Sequence, residues 1–248
     1  MCVAGPLLPR NADGGVFRTV NGTTCPPENF TTVSDFNITA YAAAPWYVQK
    51  QLPQPYQPPS QLFCVKAEYE LKDPTNVSAG VIVNNYANEG AVNGPSRGSS
   101  RFDRTNASRL VAVPQTPGAG AKDGKLLVGP EILQTVLPRG WRNAYGPYWV
   151  VAVGPSANRT IAYDWAIISG GPPKYLAPGG GCTTQGPRRR SGPLSMLGTD
   201  SGGLWFFSRK PIDPTATAIM EQKAAELGIA TSGLLPVQQQ GCKYATSA

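Results

Sequence analysis

Leu204-Trp205-Phe206-Phe207-Ser208-Arg209-Lys210-Pro211 reads as a short apolar strand that stops on a charged turn. Its continuation is equally legible. Asp213-Pro214 stands at the entrance of a helical run over 215–227, and Gly228 stands at its exit. That run carries apolar residues at Ala218, Ile219, Ala225 and Leu227, with Glu221, Lys223 and Glu226 interspersed. The tail beyond it reads Gln238-Gln239-Gln240-Gly241-Cys242.

Upstream of this strand, helix and tail, seven further strand-like runs follow one another at regular spacing: 46–51, 61–71, 77–86, 108–113, 125–128, 148–153 and 160–169, with 203–208 as the eighth. In Phe63-Cys64-Val65-Lys66-Ala67-Glu68-Tyr69, Lys66 and Glu68 share one face while Val65, Ala67 and Tyr69 share the other. The 28 Gly and 25 Pro make up about a fifth of the 248 residues, so turns are many and long helices few. Eight runs with turns between them imply an all-β, antiparallel sandwich or barrel. Residues 1–30 read as an irregular N-terminal segment, 31–242 as the main domain and 243–248 as a tail. Between the seventh and eighth runs lies a Pro/Gly-rich insertion, 170–202, of a length that usually marks a functional or disordered loop.

The chain has no His, which removes serine–histidine triads, imidazole acid–base chemistry and His-ligated zinc together. No metal site is expected, and no window is apolar for long enough to span a membrane as a helix. Net charge is +7, but Lys and Arg are scattered and no nucleic-acid surface is expected. The one dense run, Arg188-Arg189-Arg190, suits a solvated loop or an anionic membrane surface or protein partner. Cysteines at 2, 25, 64, 182 and 242 form no CxxC pair; in a turn-rich chain they fit long-range disulfides in an oxidising compartment. Six N-x-[ST] sequons, at Asn21, Asn29, Asn37, Asn76, Asn106 and Asn158, allow a secretory route. MCVAGPLLPR lacks a usable apolar targeting core, so either a targeting peptide has been removed or the first Met has been added.

The order of landmarks is more specific than any one of them. Cys25-Pro-Pro and Asn29-Phe30 precede Tyr41 and Ala44-Pro45-Trp46-Tyr47; Cys64 and Ala67-Glu68-Tyr69 follow; Tyr148-Trp149-Val150-Val151 comes later, and the stretch from Leu204 to Cys242 closes the series. In this combination the chain resembles the lipocalins over about residues 25–242, closest to the branch with apolipoprotein D, bacterial outer-membrane lipocalins and plant and algal lipocalins. The resemblance implies an eight-stranded antiparallel up-and-down barrel with one C-terminal α-helix packed outside. It implies that Trp46 sits at the closed base with Arg209 across its indole, and that Asp164 lies near the base. It also implies disulfides Cys64–Cys242, fixing the tail across the outer wall, and Cys25–Cys182, with Cys2 left over. The family's Gly-x-Trp is Ala44-Pro45-Trp46 here, which places its usual turn in question.

By the same resemblance the chain is a carrier that binds, transports or sequesters a small hydrophobic ligand (a lipid, fatty acid, sterol or carotenoid-type molecule) with no cofactor. Strand alternation offers Tyr69, Tyr148, Tyr163, Trp165 and Phe206 as lining residues. Two other classes compete: a lipocalin-fold enzyme acting on a carotenoid epoxide through a buried carboxylate, and a docking subunit of a larger complex. Glu68 has the wrong strand parity for the first, and Asp164 is basal. The insertion would act as a lid or docking arm at the mouth. The compartment implied is oxidising, either secreted or the thylakoid lumen.

Overall fold

A computed structural model describes residues 18–20, 23–98, 109–118, 122–186 and 202–244. Eight strands fall within or across the expected runs: β1 (Trp46–Gln51), β2 (Phe63–Leu71), β3 (Val81–Asn88), β4 (Leu110–Pro114), β5 (Lys125–Pro130), β6 (Gly146–Pro155), β7 (Tyr163–Ser169) and β8 (Leu204–Ser208). Each pairs antiparallel with the next, and β8 returns to β1 through Trp205↔Gln51 and Ser208↔Tyr47. The sheet is therefore a closed up-and-down barrel, the fold that the lipocalin resemblance implies. Closure removes the exposed strand edges that an open sheet of this length would carry.

Alternation along the strands splits the apolar residues into an inside and an outside. Val48, Val65, Ala67, Tyr69, Val83, Leu126, Tyr148, Ile168 and Phe207 belong to the interior cluster. Ile167 and Phe206 point outward and pack under helix α4 (Pro214–Glu226). A second outer layer covers β4 and β5, where Val111, Val113 and Tyr145 pack with Leu133 and Trp141 from the short helices α2 (Ile132–Val136) and α3 (Trp141–Ala144).

Helix α4 starts where the sequence indicates. Asp213 caps it, its carboxylate accepting from the Ala216 N–H at 3.0 Å and from the Ser208 hydroxyl at 2.7 Å, with Pro214 in the first turn. Its buried face, however, is Ala216, Met220 and Ala224, while Ala218 and Ala225 are exposed and Ile219 keeps 45% of its surface. One small residue per turn lets the helix approach the wall closely, and Met220 fills the space beneath.

The tail is not laid across the outer wall. β1 and β2 pair only at Trp46↔Ala67 and Tyr47↔Lys66, and then diverge. Residues 235–239 enter the wedge between them. Leu235 and Pro236 pair with Gln51 and Lys50 of β1. On the other side the Gln238 N–H donates to the Leu62 carbonyl and the Cys64 N–H to the Gln238 carbonyl, both at 2.9 Å. Gln239 completes the join, its Nε2 donating at 2.8 Å to both Val48 O and Val65 O. The tail thus fills the seam as a ninth stave. Cys64 takes a positive φ of 53° at the point where β2 shifts register, and bonds to Cys242.

Among its described residues the N-terminal segment contains a short ladder, Arg18–Val20 against Thr23–Cys25, where the sequence suggests only irregular chain. The first half of the 170–202 insertion is anchored on several sides. Tyr175–Leu176 pairs with Cys182–Thr183, Cys182 bonds to Cys25, and the Cys182 N–H donates to the Gly228 carbonyl at 2.8 Å. Arg188, Arg189 and Arg190, together with Cys2, lie outside the described residues.

Candidate functional site

The lower end of the barrel is closed by α1 (Ile38–Ala42) and by Arg209, just beyond β8. The Arg209 guanidinium carbon lies 3.5 Å from the Trp46 ring centroid, a stacked cation–π pair. Its nitrogens donate to the carbonyls of Ala40 and Tyr41 at 3.1 Å, and also to that of Ala44. Arg209 therefore satisfies the carbonyls at the C-terminal end of α1, which a following left-handed residue often does instead. The helix ends on Ala43 in ordinary right-handed conformation, so Ala44-Pro45 in place of Gly-x costs no strained turn. Trp46 donates its indole N–H to the Tyr41 carbonyl at 2.9 Å and is fully buried.

Above this plug lies a floor of three tyrosines. The Tyr148 hydroxyl is 2.7 Å from that of Tyr41 and 2.7 Å from that of Tyr69. Burial pushes all three phenols upward, Tyr69 to about 12 and Tyr41 and Tyr148 well above their ordinary range. They are neutral at physiological pH. Aromatic contacts hold them in place: Tyr41 packs against Phe36 at 5.1 Å, Trp46 at 4.9 Å and Tyr69 at 5.3 Å between centroids.

Above this floor, several inward-facing side chains keep part of their surface. Asn85 pairs with Ala67 in register and so faces the same way as Val83 and Ala87, yet it is exposed. Leu110, Val128 and Trp205, also inward-facing, are only half-buried. Tyr56, on the loop between β1 and β2, keeps 63% of its surface. Gln51 and Gln54, buried at the rim, each keep a side-chain oxygen without a partner among the described residues. The arrangement is a cup with polar groups at its rim and a sealed aromatic base.

The proposed lining residues divide. Tyr69 and Tyr148 lie in the interior, at the floor of the cup. Tyr163 sits lower, stacked on Phe36 at 6.0 Å, its hydroxyl accepting from the Asn37 N–H. Trp165 and Phe206 belong to the outer cluster beneath α4 and do not reach the cup. The reason is local: Trp205-Phe206-Phe207 is apolar on both faces because one face meets the barrel interior and the other the helix, so composition does not reveal parity. Sequence reasoning missed Tyr41, Tyr56, Trp205 and Phe207. Phe207 and Trp205 flank the residue chosen, whereas Tyr41 and Tyr56 lie outside the strands, where alternation carries no information. Glu68 stands on the outer face, paired with Lys66 at 2.9 Å, and Asp164 is exposed near the base.

Comparison with known proteins gives no matching family model and no matching curated protein. Among solved structures the chain is similar to insecticyanin from the tobacco hornworm Manduca sexta, at 15% identity and TM-score 0.49, covering 88% of this chain and 89% of that one. It is similar to the cockroach major allergen Per a 4 at 12% identity and TM-score 0.48, with 84% and 91% covered. Lobster apocrustacyanin A1 matches at 12% identity and TM-score 0.45, with 86% and 93% covered. Strand order, closure, base and external helix define the fold without them.

Proposed function

We propose that the protein is a lipocalin-type carrier that takes up a small hydrophobic ligand in the upper half of its barrel. The observation that carries this reading is the pairing of inward register with exposure at Asn85, Leu110, Val128 and Trp205. Side chains that face the axis and still meet solvent support a hollow there, and an eight-stranded barrel is wide enough for one small ligand. Removing 300 Å² of apolar ligand surface from water is worth roughly 7 kcal/mol before the entropy of association is subtracted. Lipid and carotenoid-like molecules both meet the requirement of an apolar body. Two disulfides fit an oxidising compartment, with secretion the simplest case.

The carboxylates considered for a catalytic alternative, Glu68 and Asp164, stand on the outer face and at the exposed base, so the carrier reading leaves the cup without them. The test is an organic extract of the purified protein analysed by mass spectrometry, together with titration of the stripped protein with an apolar fluorescent dye. The reading expects one dye site per chain, displaced by the extracted molecule. Failure of the dye and of long-chain apolar compounds to bind would remove it.

A further inference from the structure

Two of the sequons share a geometry that the carrier reading does not use. Asn76-Val77-Ser78 lies in the β2–β3 connection and Asn158-Arg159-Thr160 in the β6–β7 connection. In each, the asparagine Oδ1 accepts from the backbone N–H two residues on, that of Ser78 at 3.2 Å and that of Thr160 at 3.0 Å. This ring fixes the carboxamide against its own backbone. Both asparagines are exposed, and Nδ2 of each makes no hydrogen bond among the described residues. The other described sequons differ: Asn37 spends its carbonyl on the Ala40 N–H as the cap of α1, and Asn29 forms no such ring. Asn21 and Asn106 lie outside the described residues. Both chosen connections belong to the closed end. In an up-and-down barrel they share that end with the start of β1 at Trp46 and the exit of β8, where α1 and Arg209 form the plug. Arg209 itself donates at 3.1 Å to the carbonyl of Tyr163, the first residue of β7 after the second connection.

We propose that Asn76 and Asn158 are N-glycosylation sites whose glycans stand on the closed end of the barrel, away from its opening. This goes beyond the carrier reading and rests only on the secreted compartment named with it. A sequon is an acceptor where it sits on a surface loop of an exported protein, and both of these do. In the transfer, Nδ2 takes the anomeric carbon of an oligosaccharide from a lipid-linked diphosphate donor. The C–N bond forms, the C–O bond from sugar to diphosphate breaks, the lipid diphosphate leaves, and one amide proton goes to solvent. The product keeps Oδ1 as an acceptor, so the bond from the N–H two residues on survives and each loop keeps its form.

The test secretes the full chain from eukaryotic cells behind a cleavable signal and removes its N-glycans enzymatically in ¹⁸O-water. Peptide mapping is expected to find ¹⁸O-labelled aspartate at positions 76 and 158. Asn76→Gln and Asn158→Gln should each lose the gel retardation of one glycan. Ser78→Ala and Thr160→Ala keep the asparagine but remove the hydroxyl that the transfer requires, and should abolish the label at Asn76 and at Asn158 in turn. A label that survives them reports chemical deamidation and counts against the assignment. The Asn76→Gln/Asn158→Gln double variant should take up an apolar dye at the rate of the parent; faster uptake would place these glycans at the opening and overturn their position. An exported chain with both disulfides formed and either asparagine unlabelled would overturn the assignment of that site. Loss of dye binding in every form would strike the carrier reading and leave the glycosylation result standing.

Discussion

Phenols packed with their hydroxyls 2.7 Å apart and cut off from water tolerate no charge, and this makes the base of the barrel sensitive to alkali. Tyr69 titrates at about 12 in the folded protein, and Tyr41 and Tyr148 are also raised above the ordinary value of 10.0, all chiefly by burial. The unfolded chain ionises its tyrosines near pH 10. The folded pKa therefore lies above the unfolded one, so the contribution of these groups is complete below pH 10 and is lost as pH rises toward and through the folded values. Thermal melting followed between pH 9 and 12 should show a steep fall in Tm above pH 10. Tyr69→Phe should be less steep over the same window, since one titrating phenol is gone; each phenol held neutral accounts for about 1.4 kcal/mol per pH unit there. Equal slopes for the two proteins would mean that Tyr69 ionises freely in the folded state. Beneath the triad, Arg209 links three residue-level features: the end of α1, the indole of Trp46 and the exit of β8. The match of Arg209 and Trp46 to a known pattern was legible from sequence, whereas Tyr41, which the same arginine reaches only through a backbone carbonyl, was not.

At the scale of elements, the barrel strands could be read because Gly and Pro punctuate runs that are either alternating or wholly apolar. The helix was read in position but not in rotation. Ile219 is its most apolar residue and lies on the outer face, where it keeps 45% of its surface; the inner face is made of Ala216, Met220 and Ala224. With alanines on every side of a short helix, hydrophobic periodicity is too weak to choose a face, and the close approach of helix to wall favours small residues. Substitution separates the two faces. Met220→Ala removes a fully buried side chain wedged against the outer cluster and should cost about 2–5 kcal/mol in chemical denaturation. Ile219→Ala should stay within about 0.5 kcal/mol of wild type, the range of an ordinary surface change. Equal costs at the two positions would contradict the helix orientation. The same weakness explains the misplaced lining residues. Where a wall is covered outside by a helix, Trp165 and Phe206 are as apolar as anything inside, and only the register of the closed barrel assigns them.

For the molecule as a whole, closure is not the work of eight strands alone. Two residue pairs join β1 to β2, and the rest of that seam is bridged by the C-terminal tail through Leu235, Pro236, Val237 and Gln238, with the Gln239 amide spanning both strands. Cys242 locks this stave to Cys64 across a sequence separation of 178 residues. Two physical roles for the bond make different predictions. If it acts only by restricting the unfolded chain, its loss lowers global stability by up to about 5 kcal/mol, an upper estimate, and speeds amide exchange everywhere that exchange requires global unfolding. If it also fastens the stave, Cys242→Ser should open the seam locally. The N–H groups of Val237 and Gln238, which donate to the Gln49 and Leu62 carbonyls, would then exchange faster than the change in global stability accounts for. Those of Ala166 and Ile167, deep in the β6–β7–β8 wall, would follow global stability alone. The short β1–β2 ladder favours the second outcome, because nothing else among the described residues joins Val48 to Val65 except the side chain that the tail brings. Hydrogen exchange measured by mass spectrometry on the variant decides it: a uniform rise at all four amides would reduce the bond to a constraint on the unfolded chain, and a rise confined to the tail would make residues 235–239 and their lock at Cys242 part of the barrel wall.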